Sequence, residues 1–305
     1  LKADVARPVT IFCGKGGVGK STLSLAFAIS HAARSRKVLV VTSHPLGELA
    51  VSVSLAGLRE AEPRAAANLF VVNIDPKEVL RTAIGRNIGS RILSETIFAS
   101  RIYQSLVEVV PGLKEIAFIA RMRELSLQGT GPEAPHGFDL LVWDAPATGH
   151  FLRTLETARN FDSYLSGPLA VLGKDVAAFL SDPANLVIHP VAIPEEMAIQ
   201  ETTELCEKLT RDLKIRPADI ICNFASPVLG ITEGDWSRLR ADFISEAHGD
   251  SSAEFVLDRL AAERALFRKL RSSLDLPIRI IARKPDCHSD VELLRYISSS
   301  LGPAQ

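Results

Sequence analysis

Residues 14–22, GKGGVGKST, constrain the fold more than any other stretch of this chain. They fit the pattern GxxxxGK[ST]. Ahead of them, residues 9–13 (VTIFC) form a short β-rich run. Behind them, residues 21–34 carry Leu23, Phe27 and Ala28 at helical spacing. A strand, a glycine loop and a helix in that order build an anion cradle. The glycines let the loop curl so that backbone N–H groups converge, and the helix offers the positive end of its dipole to the same point. On this reading Gly16, Gly17, Gly19 and Thr22 line the phosphates of a nucleotide, Lys20 reaches the terminal ones, and Ser21 ligates Mg²⁺. Gly14, Gly16 and Gly19 also match GxGxxG, the dinucleotide fingerprint. That site wants an acid at the end of the second strand. Ser43 and His44 stand there instead, and the Lys20-Ser21 pair together with Asp144 fits a phosphate–Mg²⁺ site better.

Further strands are expected at 37–42, 70–74, 138–144, 185–193, 219–224 and 277–282. Helical stretches are expected over 76–127, 150–182 with interruptions, 195–213, 250–273 and 290–301. Residues 128–137, rich in Gly and Pro, read as a loop. Strands alternating with helices predict an α/β fold, a doubly wound and mainly parallel P-loop NTPase sheet. The simplest organisation is a single P-loop domain over 1–305 with helical additions at about 76–127 and 230–273. Ligands of such sheets bind beyond the C-terminal strand ends, where Gly14, His44, Asp144 and Asn223 all fall.

Thirty-five basic and 36 acidic residues leave a net charge of −1, so no general attraction to nucleic acid is expected. The cysteines, Cys13, Cys206, Cys222 and Cys287, are far apart in sequence, which rules out a CxxC zinc or redox pair. Cys13 and Cys222 lie in apolar runs and read as core thiols, and four unpaired cysteines suit a reducing cytoplasm. No run of 18 apolar residues predicts a membrane-spanning helix.

With Lys15 as a second lysine, KGGVGKST resembles the deviant Walker A motif of the family that includes the MinD/ParA, nitrogenase iron protein and ArsA/Get-type ATPases. The resemblance implies that Lys15 reaches across a dimer interface to the partner's nucleotide. Residues 144–152, DAPATGHFL, followed by Arg153, are similar to the DTAPTGHTLR segment of the ArsA/Get branch, the arsenite-pump and tail-anchored-protein-targeting ATPases. This implies that Asp144 binds Mg²⁺ through water and that 145–150 form a switch loop sensing the γ-phosphate. Val110-Pro111-Gly112 with Glu115 resembles the branch's PG..E helix start, and Ile193-Pro194-Glu195 through Glu201-Thr202 its IPE…ET segment. Cys222-Asn223-Phe224 resembles its strand end, where Asn223 would contact adenine. The expected partners are a second copy or a related ATPase, as homodimer or heterodimer. A hydrophobic or membrane-protein client is expected too, which would bring a cytoplasmic protein to a membrane surface.

The pattern breaks at residues 42–49, TSHPLGEL, where the branch usually has STDPAHSL. His44 replaces the Asp that positions the attacking water. A neutral imidazole can orient or deprotonate water but supplies no negative charge. Weak hydrolysis or none is the expectation, a loss on the order of 10²–10⁴-fold, with Glu48 as an alternative carboxylate. This leaves two readings open, a switch ATPase and a non-hydrolysing subunit paired with an active relative. The Met-rich insertion of the targeting branch is missing, with two Met in the whole chain, and the apolar run 165–180 reads either as core or as a small groove. The bridging CxxC is absent and the cysteines form no evident arsenite trio. The C-terminal helix has no basic face, which argues against a MinD/ParA-like positioning factor. His150, Lys174 and His189 are given no role.

Overall fold

The computed structural model describes residues 8–42, 63–88, 112–127, 137–160, 168–247 and 251–301. Among them, seven strands form one parallel sheet: β1 (Val9–Gly14), β2 (Val38–Thr42), β3 (Leu69–Asn73), β4 (Leu140–Ala147), β5 (Leu186–Ala192), β6 (Ile220–Ala225) and β7 (Ile278–Ala282). Their order is β3-β2-β4-β1-β5-β6-β7. All pairings are parallel. The helices are α1 (Lys20–Ala32), α2 (Pro63–Asn68), α3 (Pro76–Ile88), α4 (Leu113–Leu127), α5 (Thr148–Asn160), α6 (Pro168–Ser181), α7 (Glu196–Arg211), α8 (Glu233–Ala247), α9 (Ser251–Ser273) and α10 (Asp290–Leu301).

The central strands are apolar at nearly every position because helices cover both faces. Side chains alternate along each strand. Val9, Ile11, Cys13, Leu39, Val41, Leu141 and Trp143 enter the core that contains residues of α4, α5, α6 and α7. Their neighbours Phe12, Val38, Val40, Leu140 and Val142 enter the opposite core, with residues of α1 and α10. Trp143, 1% exposed, packs at a tilt on Phe118 of α4 and edge-on against Phe151 of α5, with ring centroids 5.1 and 5.4 Å apart. Cys13 and Cys222 are fully buried free thiols, as their apolar settings implied.

Every strand expected from sequence is present, with ends shifted by a few residues. β4 runs further than expected. It continues to Ala147, which pairs with Gly14 after a register shift, and α5 begins at once at Thr148. The segment 145–150, expected as a loop, is therefore a strand end followed by a first helical turn, because its backbone finds a partner in β1. The short α2 was not expected. Of the first helical addition, α3 and α4 are seen, and 89–111 lies outside the described residues. So do His44, Glu48, Val110, Pro111 and most of the expected loop at 128–137. In the apolar run 165–180, Val176, Phe179 and Leu180 are core residues, while Val171 is exposed.

The β5–β7 half is tied by a buried polar chain. His189 Nδ1 lies 2.5 Å from Asp219 Oδ1, and Asp219 Oδ2 accepts from the Arg279 guanidinium. Burial alone would raise the Asp219 pKa. The His189 and Arg279 contacts outweigh it and hold the carboxyl below its usual range.

A second polar contact makes the fold pH-sensitive. His31, in the last turn of α1, packs on Phe27 at 4.6 Å and lies 2.8 Å from Arg36, whose Nη1 donates to its Nδ1. Burial, and then the charges of Arg36 and Arg34, push its pKa from 6.5 down to about 4. Between those values the unfolded chain binds a proton that the folded chain refuses, so stability falls as pH drops through that window. His31→Gln keeps an acceptor for Arg36 and is expected to flatten this fall. The check is the thermal midpoint at about pH 5 and about pH 7.5 in both proteins. An unchanged slope would remove His31 as its cause.

Candidate nucleotide site

The site lies where β1, β4, β5 and β6 end. β1 occupies the middle of the sheet, flanked by β4 and β5. Its last residue, Gly14, has φ 144°, and a Cβ there would run into the carbonyl oxygen of Val191 on β5. Only glycine lets the chain leave the sheet this close to its neighbour. The loop then turns through Gly17 and Gly19, both at positive φ, and Gly19 caps α1. A Cβ on Gly19 would strike the amide of Asn223. Gly16 and Gly17 are exposed at the tip, while Val18 is fully buried and anchors the loop.

Asn223, 3% exposed at the end of β6, donates from Nδ2 to Val18 O at 2.9 Å. Here the residue expected to contact adenine holds the glycine loop in shape. The following Phe224 adopts φ 52°, a left-handed conformation unusual for a bulky residue. Its ring lies beside Gly19, and it lines a cavity of about 330 Å³ with Ile193, Pro194, Glu195, Arg259 and Arg283. The chain beyond it is braced from α9. Glu263 accepts from the backbone and hydroxyl of Ser226, and Arg264 donates to Val228 O, Ile231 O and Glu233. Sequence reading missed this brace, since nothing local marks two neighbouring charges on an amphipathic helix as buried.

The charged groups of the site are arranged in pairs. Ser21 Oγ donates to Asp144 Oδ2 at 2.7 Å. A hydroxyl beside a 3%-exposed carboxylate forms a hard-oxygen pair that suits Mg²⁺, whose other ligands come from phosphate and water. Lys20 Nζ donates to Lys15 O at 2.8 Å. Burial lowers the Lys20 pKa, and Asp144, Cys13 and Glu201 pull it back up. A cation already stripped of much of its water gains more from an incoming anion than an exposed one would. Lys15 is about one-third exposed, and its Nζ stands 3.9 Å from Glu201 Oε2. Thr22 is half-buried in the first turn of α1.

The structure thus brings together Lys15, Gly16, Gly17, Gly19, Lys20, Ser21, Thr22, Asp144 and Asn223. His44 lies outside the described residues. His150 is exposed, and its carbonyl accepts from Thr154 within α5. Among the described residues, no helix is long and apolar enough to cross a membrane.

Comparison with known proteins agrees with this geometry. The family profile described as anion-transporting ATPase matches residues 8–174, over half of the chain. The chain is 28% identical over 218 residues to the arsenical pump-driving ATPase of Acidiphilium multivorum, a match covering 66% of this chain and 37% of that protein. It is 27% identical over 206 residues to ATPase BagA of Mycobacterium tuberculosis, covering 65% and 59%. With ATPase GET3 of Rhodotorula glutinis it shares 28% over 246 residues, covering 69% and 68%. The chain therefore spans between about a third and two thirds of the length of these relatives.

Proposed function

This chain belongs to the anion-transporting ATPase family, and we propose that it is an ATP-binding, Mg²⁺-dependent switch ATPase that works as a dimer. The observation that carries this reading is the junction of β1 and α1. There a glycine loop too tight for side chains at Gly14 and Gly19 presents a desolvated Lys20 next to the Ser21–Asp144 pair. When bound, Mg²⁺–ATP would supply the phosphoanhydride whose hydrolysis changes the state of the switch. Gly16, Gly17, Gly19 and Thr22 would bind phosphate through the loop and the helix start. Lys20 would hold the terminal phosphates, and Ser21 and Asp144 would hold the metal, Asp144 through water. Asn223 would keep the loop in register and contact the base.

Lys15 would serve the nucleotide of a second subunit. Its side chain is accessible, and among the described residues it is tied to Glu201 by a long ion pair. The α5 start, directly continuous with β4 and Asp144, would move with the metal and so couple nucleotide state to the surface. The output of that motion is capture or release of a hydrophobic or membrane-associated client, in the cytoplasm or at a membrane surface. The test is light scattering and phosphate release with and without Mg²⁺–ATP. Wild type is expected to dimerise with Mg²⁺–ATP and release phosphate, while Lys15→Ala stays monomeric although it binds nucleotide. A wild type that binds ATP and remains a monomer would sink the dimer.

One sequence feature favours a second reading. His44 stands where the family usually has an Asp. A protein that binds ATP but releases phosphate only after His44→Asp would be a regulatory subunit that pairs with an active relative.

A further inference from the structure

We infer that Glu201 is a built-in stand-in for phosphate charge, holding Lys15 within its own chain until nucleotide displaces it. The inference rests on reading the glycine loop as a nucleotide site and Lys15 as the residue that serves a second subunit.

Glu201 sits in the second turn of α7, a helix that packs on β1, β5 and α5. Its Oε2 atom is shielded from solvent and, among the described residues, accepts no hydrogen bond. Shielding a carboxylate oxygen in this way costs free energy unless something compensates. The nearest compensation is Lys15 Nζ at 3.9 Å, a distance for charge attraction rather than for a hydrogen bond. The same carboxylate also acts on Lys20, where it opposes the effect of burial. One acidic side chain thus acts on both cations of the loop, Lys20, which this chain's own triphosphate would engage, and Lys15, which would serve the nucleotide of a second subunit.

The strength of the contact suits a placeholder. Both side chains are more than a third exposed, so the pair is weak and screened by solvent. A triphosphate, with more charge and with the loop N–H groups as added partners, would outcompete it. Until then, Lys15 is neutralised in its own subunit and withheld from a partner. Glu201 is a positioning residue acting through lysine. It opposes nucleotide binding, and through that it opposes dimer closure.

The test is a titration of the full chain with Mg²⁺–ATP, comparing wild type, Glu201→Gln and Glu201→Asp. Glu201→Gln is expected to bind ATP about twofold to fivefold more tightly, the range of an exposed ion pair converted to affinity. Glu201→Asp, which keeps the charge but draws it back from Lys15, should fall between wild type and Glu201→Gln. In a Lys15→Ala background the gain from Glu201→Gln should shrink. A purely structural ion pair would lower the thermal midpoint without tightening binding. Affinity that stays level or falls in both Glu201 variants overturns the inference. The wild-type titration, run alongside, separates that failure from failure of the nucleotide reading itself.

Discussion

Lys20→Ala is expected to lose ATP binding by about 30-fold to several thousandfold while the protein stays folded. Removing a partly buried cation that an anion would otherwise pair with costs several kcal/mol, about 2–5. The fold itself gives up little. Lys20 is penalised by burial, and its ammonium donates to Lys15 O on a solvent-facing loop. The thermal midpoint should therefore shift by a few degrees at most, whereas binding followed by calorimetry or a fluorescent nucleotide should fall below detection. Full binding by Lys20→Ala would move the phosphate site away from this loop.

Asp144→Asn is expected to cut phosphate release by about 10²–10³-fold, the scale of losing one electrostatic element of a reacting site. Its second signature concerns the metal. Asparagine keeps the shape of aspartate and can still accept from Ser21 Oγ, but it no longer offers charge to a divalent cation. ATP affinity should consequently become nearly insensitive to Mg²⁺, while wild-type affinity falls when the metal is chelated. The paired readout guards against general damage. A misfolded Asp144→Asn protein would lose binding with and without metal. Hydrolysis and metal dependence that match wild type would exclude Asp144 from the site.

The glycine loop was legible because its glycines are a local necessity, and the two that matter most obey long-range constraints as well. Gly14 clears Val191 and Gly19 clears Asn223, contacts no local pattern displays. The strands were legible because those of a sheet covered on both faces are uninterrupted apolar runs. The order in which they pair was not, since β4 enters between β1 and β2 after nearly a hundred intervening residues. Residues 145–150 were expected as a switch loop, yet β4 continues through Pro146 because the ladder to β1 shifts register there, where a missing N–H is tolerated. Glu201 was visible in sequence as the end of the IPE…ET resemblance, without any sign of the lysine it faces. Its meaning depends on which face of α7 meets β1, and docking decides that. The same holds for Glu263 and Arg264, neighbouring charges buried because α9 closes over the chain that leaves β6.

The measurement that tests the central claim most directly is a calorimetric titration of the wild-type protein with ATP, with Mg²⁺ and after its chelation, beside NAD as the dinucleotide comparator. Saturable binding of one ATP per chain, weakened by chelation and not matched by NAD, is the predicted result. No binding of ATP, or preferential binding of NAD, would contradict it and return Gly14, Gly16 and Gly19 to the dinucleotide reading.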